Sequence, residues 1–231
     1  MTTISFSEKA VPVLALFAAK NDIRYYLDGL CVEPAPHGPG CVIVATDGHQ
    51  MALWYDEDGV CDKRTILSIS KKMIGACEAK DAVKIRLHDG TLSVDGINSA
   101  PIFVHPGEPI IDAKYPIFWR VIPKTEDLVS GMHGSIAARL MRKIGKAGSL
   151  IAKRECAPVA ARHYSAGTDG NGSILSRFEW AKNFMVITMP VRSDYLHEEP
   201  IPPCFKPPIR PSAEATANFP TGSMGEEVHP A

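Results

Sequence analysis

Val42-Ile43-Val44-Ala45-Thr46-Asp47-Gly48-His49-Gln50-Met51-Ala52-Leu53-Trp54-Tyr55-Asp56 reads as an apolar run, a polar tip and a second apolar run. Asp-Gly between two β-forming runs is a strong hairpin signal, because glycine accepts the positive φ that a tight reversal demands. The stretch therefore predicts a rigid hairpin with Thr46-Asp47-Gly48-His49 at its tip. Scaffolds tend to display working side chains at such tips.

Working outward, the same pattern frames the rest of the chain. Upstream, Ser7 is a capping residue for a helix predicted over Glu8 to Lys20, with Pro12 near the first turn, where proline is tolerated. Ile23-Arg24-Tyr25-Tyr26-Leu27 has strand composition, Asp28-Gly29 that of a turn, and Leu30-Cys31-Val32-Glu33 that of a second strand leading to the hairpin. One helix and the strands after it make a unit, and the unit recurs. Thr65 to Ile69 reads as a strand, Ser70 caps a helix over Lys71 to Ala79, and strands follow at Val83–Leu87, Leu92–Val94 and Pro101–Val104, with a turn at Asp89-Gly90. A third helix is predicted over Ser135 to Ile144, ending near Gly145 or Gly148, with strands at Val159–Tyr164, Ile174–Trp180 and Phe184–Pro190. Internal repetition of this kind sets the fold class as α+β. From about Ser193 the chain is dense in Pro, small polar residues and charge, a composition that predicts a mobile tail.

Bulk properties narrow the function classes. With 231 residues, 45% hydrophobic and 22% charged, the chain can bury a substantial core. A formal net charge of −1 excludes a uniformly basic nucleic-acid coat and leaves room for a local basic face. The six cysteines form no CxxC pair and no zinc-ligand spacing, which reads as buried small hydrophobes in a reducing compartment. No signal-peptide pattern opens the chain and no apolar run approaches the roughly 20 residues of a membrane span, so a cytoplasmic location with no membrane partner is expected. Asp47, His49 and Asp56 are near one another, yet the chain supplies neither a nucleophile nor a metal set to complete them, and no enzyme activity, cofactor or metal is expected. The loop Ser165 to Gly172 lacks the Lys-Ser/Thr of a phosphate loop and reads as a hairpin connection.

Four stretches, Asn21–Leu30, Val44–Leu53, Tyr115–Lys124 and Val186–Arg192, resemble in order and character the signature segments of the bacterial sliding clamp, the β subunit of DNA polymerase III. The resemblance spans roughly Ser5 to Arg192 and implies the processivity-clamp fold. Members of that family have three domains of two units each, and two protomers close a ring around duplex DNA. Residues 1–114 resemble the middle domain and 115–192 the second half of the last one, followed by the tail at 193–231. The first domain has no counterpart, which suggests a shortened form such as a phage or other mobile element would encode. A family ring holds twelve units, so three per chain imply four protomers in a homo-oligomeric ring.

The resemblance also implies a pocket for the clamp-binding peptides of polymerases, repair proteins and the clamp loader. It would be lined by Leu27, Thr46, Gly48, His49, Gln50 and Met51, by Pro116, Arg120 and Val121 on the connector, and by Ile187, Met189, Pro190 and Val191 near the last strand. Gln50 stands where the family usually has Arg. An apolar floor with a few polar groups to fix register is what a peptide groove requires. A second signal is electrostatic: Arg139, Arg142, Lys143 and Lys146 recur at helical spacing opposite an apolar face. Such a face attracts phosphates weakly and without sequence preference, and Arg24, Lys71 and Lys72 are expected to extend it. The function expected is a sliding-clamp-like processivity factor on duplex DNA; the alternative is a non-ring adaptor or decoy that competes with a host clamp for its clients.

Overall fold

In the computed structural model, which describes residues 2–155 and 159–191, one unit is used three times: an opening strand, a helix, and a meander of three antiparallel strands. The first unit comprises β1 (Ile4–Ser7), α1 (Ala10–Leu14), β2 (Leu30–Pro34), β3 (Cys41–Thr46) and β4 (Gln50–Asp56), with a short β5 (Val60–Cys61) after it. The second comprises β6 (Thr65–Leu67), α2 (Lys71–Cys77), β7 (Ala82–His88), β8 (Thr91–Gly96) and β9 (Pro101–Val104). The third comprises β10 (Leu128–Ser130), α3 (Ala138–Glu155), β11 (Ala161–Ala166), β12 (Ile174–Phe178) and β13 (Ala181–Thr188).

Two sheets result, ordered β5-β1-β7-β8-β9 and β10-β11-β12-β13-β4-β3-β2-β6. Each opening strand pairs with the first strand of a meander. The first two units exchange theirs, β1 pairing with β7 and β6 with β2, whereas β10 pairs with β11 of its own unit. The closing strands β4 and β13 pair antiparallel from Phe184↔Trp54 to Thr188↔Gln50, which joins the first and third units into one sheet.

Both faces of its strands β2, β3 and β4 are buried, which is why these read as nearly continuous apolar runs. Ala52, Trp54, Phe184 and Val186 face a core shared with α1, α2 and α3. Met51, Leu53 and Ile187 alternate to the other face, against Leu27, Tyr115 and Phe118. The Trp54 and Phe184 rings lie 5.9 Å apart across the seam, and a tilted aromatic pair of this kind adds about 1 kcal/mol beyond its area.

The structure corrects several expectations. Residues Ile4–Ser7 form a strand, and α1 ends at Leu14; beyond it Leu16 and Phe17 N–H donate to carbonyls three residues back, so the chain turns off rather than continuing to Lys20. Ile23–Leu27 is not a strand. The Asp22 carboxylate takes the Arg24 main-chain N–H at 2.9 Å and its guanidinium at 3.0 and 2.9 Å, leaving Ile23 99% exposed, and a single 3-10 turn follows at Tyr25–Leu27. Helix α3 starts at Ala138 and runs through both Gly145 and Gly148 to Glu155, because its buried row Leu140, Ile144, Ala147 and Ile151 continues past them. Strand β10 had no sequence signal strong enough to predict it. The expected cap at Ser70 is present, its hydroxyl accepting the Met73 N–H at 3.1 Å. The tail expected over 193–231 lies outside the described residues, as do Cys156 and Cys204.

Candidate functional site

The hairpin tip is fixed by its own side chains. Asp47 N–H donates to the Gln50 carbonyl at 3.2 Å, and the Asp47 carboxylate accepts the main-chain N–H groups of His49 and Gln50 at 2.9 and 2.8 Å. The Thr46 hydroxyl donates to the Gln50 carbonyl at 2.7 Å and accepts Gly48 N–H at 3.1 Å. Gly48 sits at φ +86°, with the Arg24 guanidinium 3.1 Å from where a Cβ would stand. Lys143 Nζ on α3 reaches the other Asp47 oxygen at 2.6 Å. Burial would raise the Asp47 pKa, but the Lys143 ammonium and the two N–H donors together hold it below the ordinary aspartate value.

Strand β13 and the residues after it are bonded directly to this tip. Ile187 pairs with Met51 and Thr188 with Gln50 in the β13–β4 ladder, and Met189 N–H donates to the His49 carbonyl at 2.9 Å. Val191 N–H then donates to the Ser135 carbonyl at 2.7 Å, just before α3. Gln50 is turned inward, 1% exposed, with Nε2 donating to Thr188 Oγ1 at 2.9 Å and to the Leu140 carbonyl at 3.2 Å. It ties the hairpin to β13 and α3, a role its position in the tip did not suggest. Its Oε1 is buried without a hydrogen-bond partner.

The connector flanks the seam. Tyr115 and Phe118 are buried in the same cluster as Leu27, Met51 and Ile187, and a 3-10 turn covers Phe118–Val121. Burial pushes the Tyr115 phenol above its ordinary pKa, partly opposed by the Thr46 main chain beside it, although the hydroxyl lacks a full hydrogen bond. Trp119 Nε1 donates to the buried carboxylate of Glu33, which also holds Arg64, and Arg64 lies over the Phe118 ring at 5.5 Å. The turn is therefore clamped from beneath, with Pro116, Arg120 and Val121 left exposed.

The expected groove residues thus fall into two layers. Leu27, Gln50, Met51 and Ile187 are buried and form the support. Gly48, His49, Pro116, Arg120, Val121, Met189 and Val191 are exposed above it, while Thr46 and Pro190 are half-buried. Met189, Val121 and Val191 offer apolar contact, and His49 and Arg120 a polar rim. The surface over the β4–β13 pairing therefore combines exposed apolar and polar side chains. A cavity of about 730 Å³ lies elsewhere, bordered by α1, the end of α2 and α3, and is lined by Lys9, Pro12, Glu78, Lys80, Leu150 and Lys153. Among the described residues no group of His, Cys, Asp or Glu side chains converges as a metal site would.

The basic residues do not act as one set. Arg139, Arg142 and Lys146 are exposed along α3, as are Lys71 and Lys72 at the start of α2. Lys143 and Arg24 converge on the hairpin tip: Lys143 is engaged by Asp47, and Arg24 by Asp22 beside Gly48. No local pattern could have revealed a pair 96 residues apart in sequence.

No protein-family profile matches the chain, and no curated protein sequence does. Solved structures do. A DNA polymerase sliding clamp from Pseudomonas aeruginosa superposes with a TM-score of 0.51 at 17% identity, covering 83% of this chain and 66% of that one. A sliding clamp from Bartonella birtlesii bound to griselimycin gives 0.52 at 16%, covering 83% and 66%, and the C. crescentus beta sliding clamp 0.53 at 17%, covering 83% and 65%. The chain has the processivity-clamp fold, and it spans just under two thirds of the length of these clamps.

Proposed function

We propose that this chain is a non-enzymatic clamp-like platform that tethers replication or repair proteins by binding a short peptide of theirs along the β4–β13 seam. One observation carries the reading. The exposed tip of the hairpin and the exposed Met189 just after β13 are 140 residues apart in sequence, yet they are joined by the Met189–His49 hydrogen bond over a shared buried support. Exposed Met189 and Val191 beside His49 supply what a peptide groove needs, adaptable apolar contact with a polar edge. In this reading residues 1–114 act as a clamp domain and 115–192 as a half domain, and the clients are a polymerase and a clamp loader.

A second reading has its own support. The exposed row Arg139, Arg142 and Lys146 on α3 suits sequence-independent contact with duplex DNA, as a homo-oligomeric ring would need. A non-ring adaptor or decoy would use the seam alone. Titration of a fluorescent clamp-binding peptide tests the primary reading. Saturable binding by the wild type, weakened about tenfold or more by Met189→Ala with Pro190→Ala, is expected. Absence of specific binding by the wild type sinks the assignment.

A further inference from the structure

The face of the seam that carries Met51 and Ile187 continues along the strands to Leu53 and Tyr55 on β4 and to Met185 on β13, since alternate residues share a face. There a second cavity opens, of about 230 Å³, bordered by Leu53, Tyr55, Trp119, Met185, Arg177 and Lys182. None of the groove residues named above borders it. Sites for small molecules start at roughly 300 Å³, so this one has room for a single side chain.

Its walls are held before anything binds. Trp119 is fixed twice: Nε1 donates to the buried Glu33 carboxylate, and its ring lies 4.6 Å from the Phe118 ring. The Tyr55 hydroxyl donates to the Pro39 carbonyl at 2.9 Å, and Asn183 Nδ2 donates to the Tyr55 carbonyl at 3.2 Å. The rim has one sign of charge. Arg177 and Lys182 are exposed, and Arg177 gives one N–H to the Lys182 carbonyl at 3.2 Å. Among the described residues neither has an ion-pair partner, and no carboxylate borders the pocket.

We propose that this pocket, resting on the reading of the seam as a peptide site, is a second docking point for the same client peptide and takes one apolar side chain flanked by carboxylates. The apolar floor selects the side chain, and the cationic rim of Arg177 and Lys182 selects the flanking charge. Met185 precedes Met189 by four residues, a span of about 13 Å in an extended chain. A peptide seated at Met189 therefore reaches the pocket with about four further residues. The preformed Trp119 wall limits the ordering that binding costs. The seam alone accepts a general apolar segment, and the second point discriminates among clients, favouring those with an acidic and apolar extension.

Titration of the full chain tests it with a fluorescent clamp-binding peptide, the same peptide extended at either end by Gly-Gly-Phe-Asp-Asp, and all-glycine extensions of equal length as controls. One acidic extension should tighten binding about tenfold over its glycine control, the scale of burying one aromatic side chain. Arg177→Glu with Lys182→Glu, both at exposed positions, should cut that gain about threefold or more while leaving the unextended peptide unaffected. The Met185 methyl should shift with the acidic extended peptide and stay in place with the unextended one. If no peptide binds, the reading of the seam fails and the pocket falls with it. Binding of the unextended peptide with no gain from either extension, or a gain that survives the charge reversal without moving Met185, overturns the pocket alone.

Discussion

Asp47 is a turn residue by sequence and an anchor by structure. One carboxylate accepts two main-chain N–H groups of its own hairpin and the Lys143 ammonium from α3. Because the site is partly buried, these charge-assisted bonds stabilise the fold rather than decorate its surface. The folded pKa lies below that of an unfolded aspartate, about 3.9, so this contribution is complete above that pH and is lost as pH falls through the folded value. Asp47→Asn should lower stability by about 1–2 kcal/mol at neutral pH, with the gap closing in acid; denaturant unfolding at a series of pH values measures it. The sequence marks Asp47 as a turn residue but not its partner Lys143, because a contact spanning 96 residues leaves no local signature. Gln50 repeats the lesson. Its place in the tip suggested a surface contact, whereas its amide is buried between Thr188 and Leu140.

At the scale of elements, what was legible was what is decided locally. The hairpin of β3 and β4, the Ser70 cap and the Asp89-Gly90 turn depend on neighbours in sequence and appeared where expected. Ile23–Leu27 has the composition of a strand, but the Asp22 carboxylate captures Arg24 locally and wins. Helix α3 misled in the other direction, since two glycines read as stops while the apolar row ran on. Those glycines differ in kind. Gly145 is exposed with open space around its Cα, whereas a Cβ on Gly148 would stand 2.6 Å from the Phe178 ring. Gly145→Ala should therefore stabilise the protein by about 0.5–1 kcal/mol through helix propensity. Gly148→Ala should destabilise it by about 1–3 kcal/mol through overpacking. Thermal unfolding of the two variants decides; equal shifts of the same sign would contradict this account of α3.

Across the whole molecule, three units share two sheets, and the seam between β4 and β13 is where the first and third meet. The repeat was visible in the alternation of helix and strands, but the exchange of opening strands between the first two units was not, because pairing partners distant in sequence are chosen by tertiary packing. If α3 faces duplex DNA, replacing Arg139, Arg142 and Lys146 by Gln should flatten the salt dependence of binding, by up to about one unit of slope per lost phosphate contact. Anisotropy titrations at several salt concentrations would show it, and an unchanged slope would remove α3 from any DNA surface. The central claim is the peptide seam, and methyl NMR during titration with a clamp-binding peptide tests it most directly. The account predicts that Met189, Val191 and Val121 shift most, followed by the buried Met51 and Ile187 beneath them. Binding that leaves these methyls unmoved while others shift, or no binding at all, would contradict it.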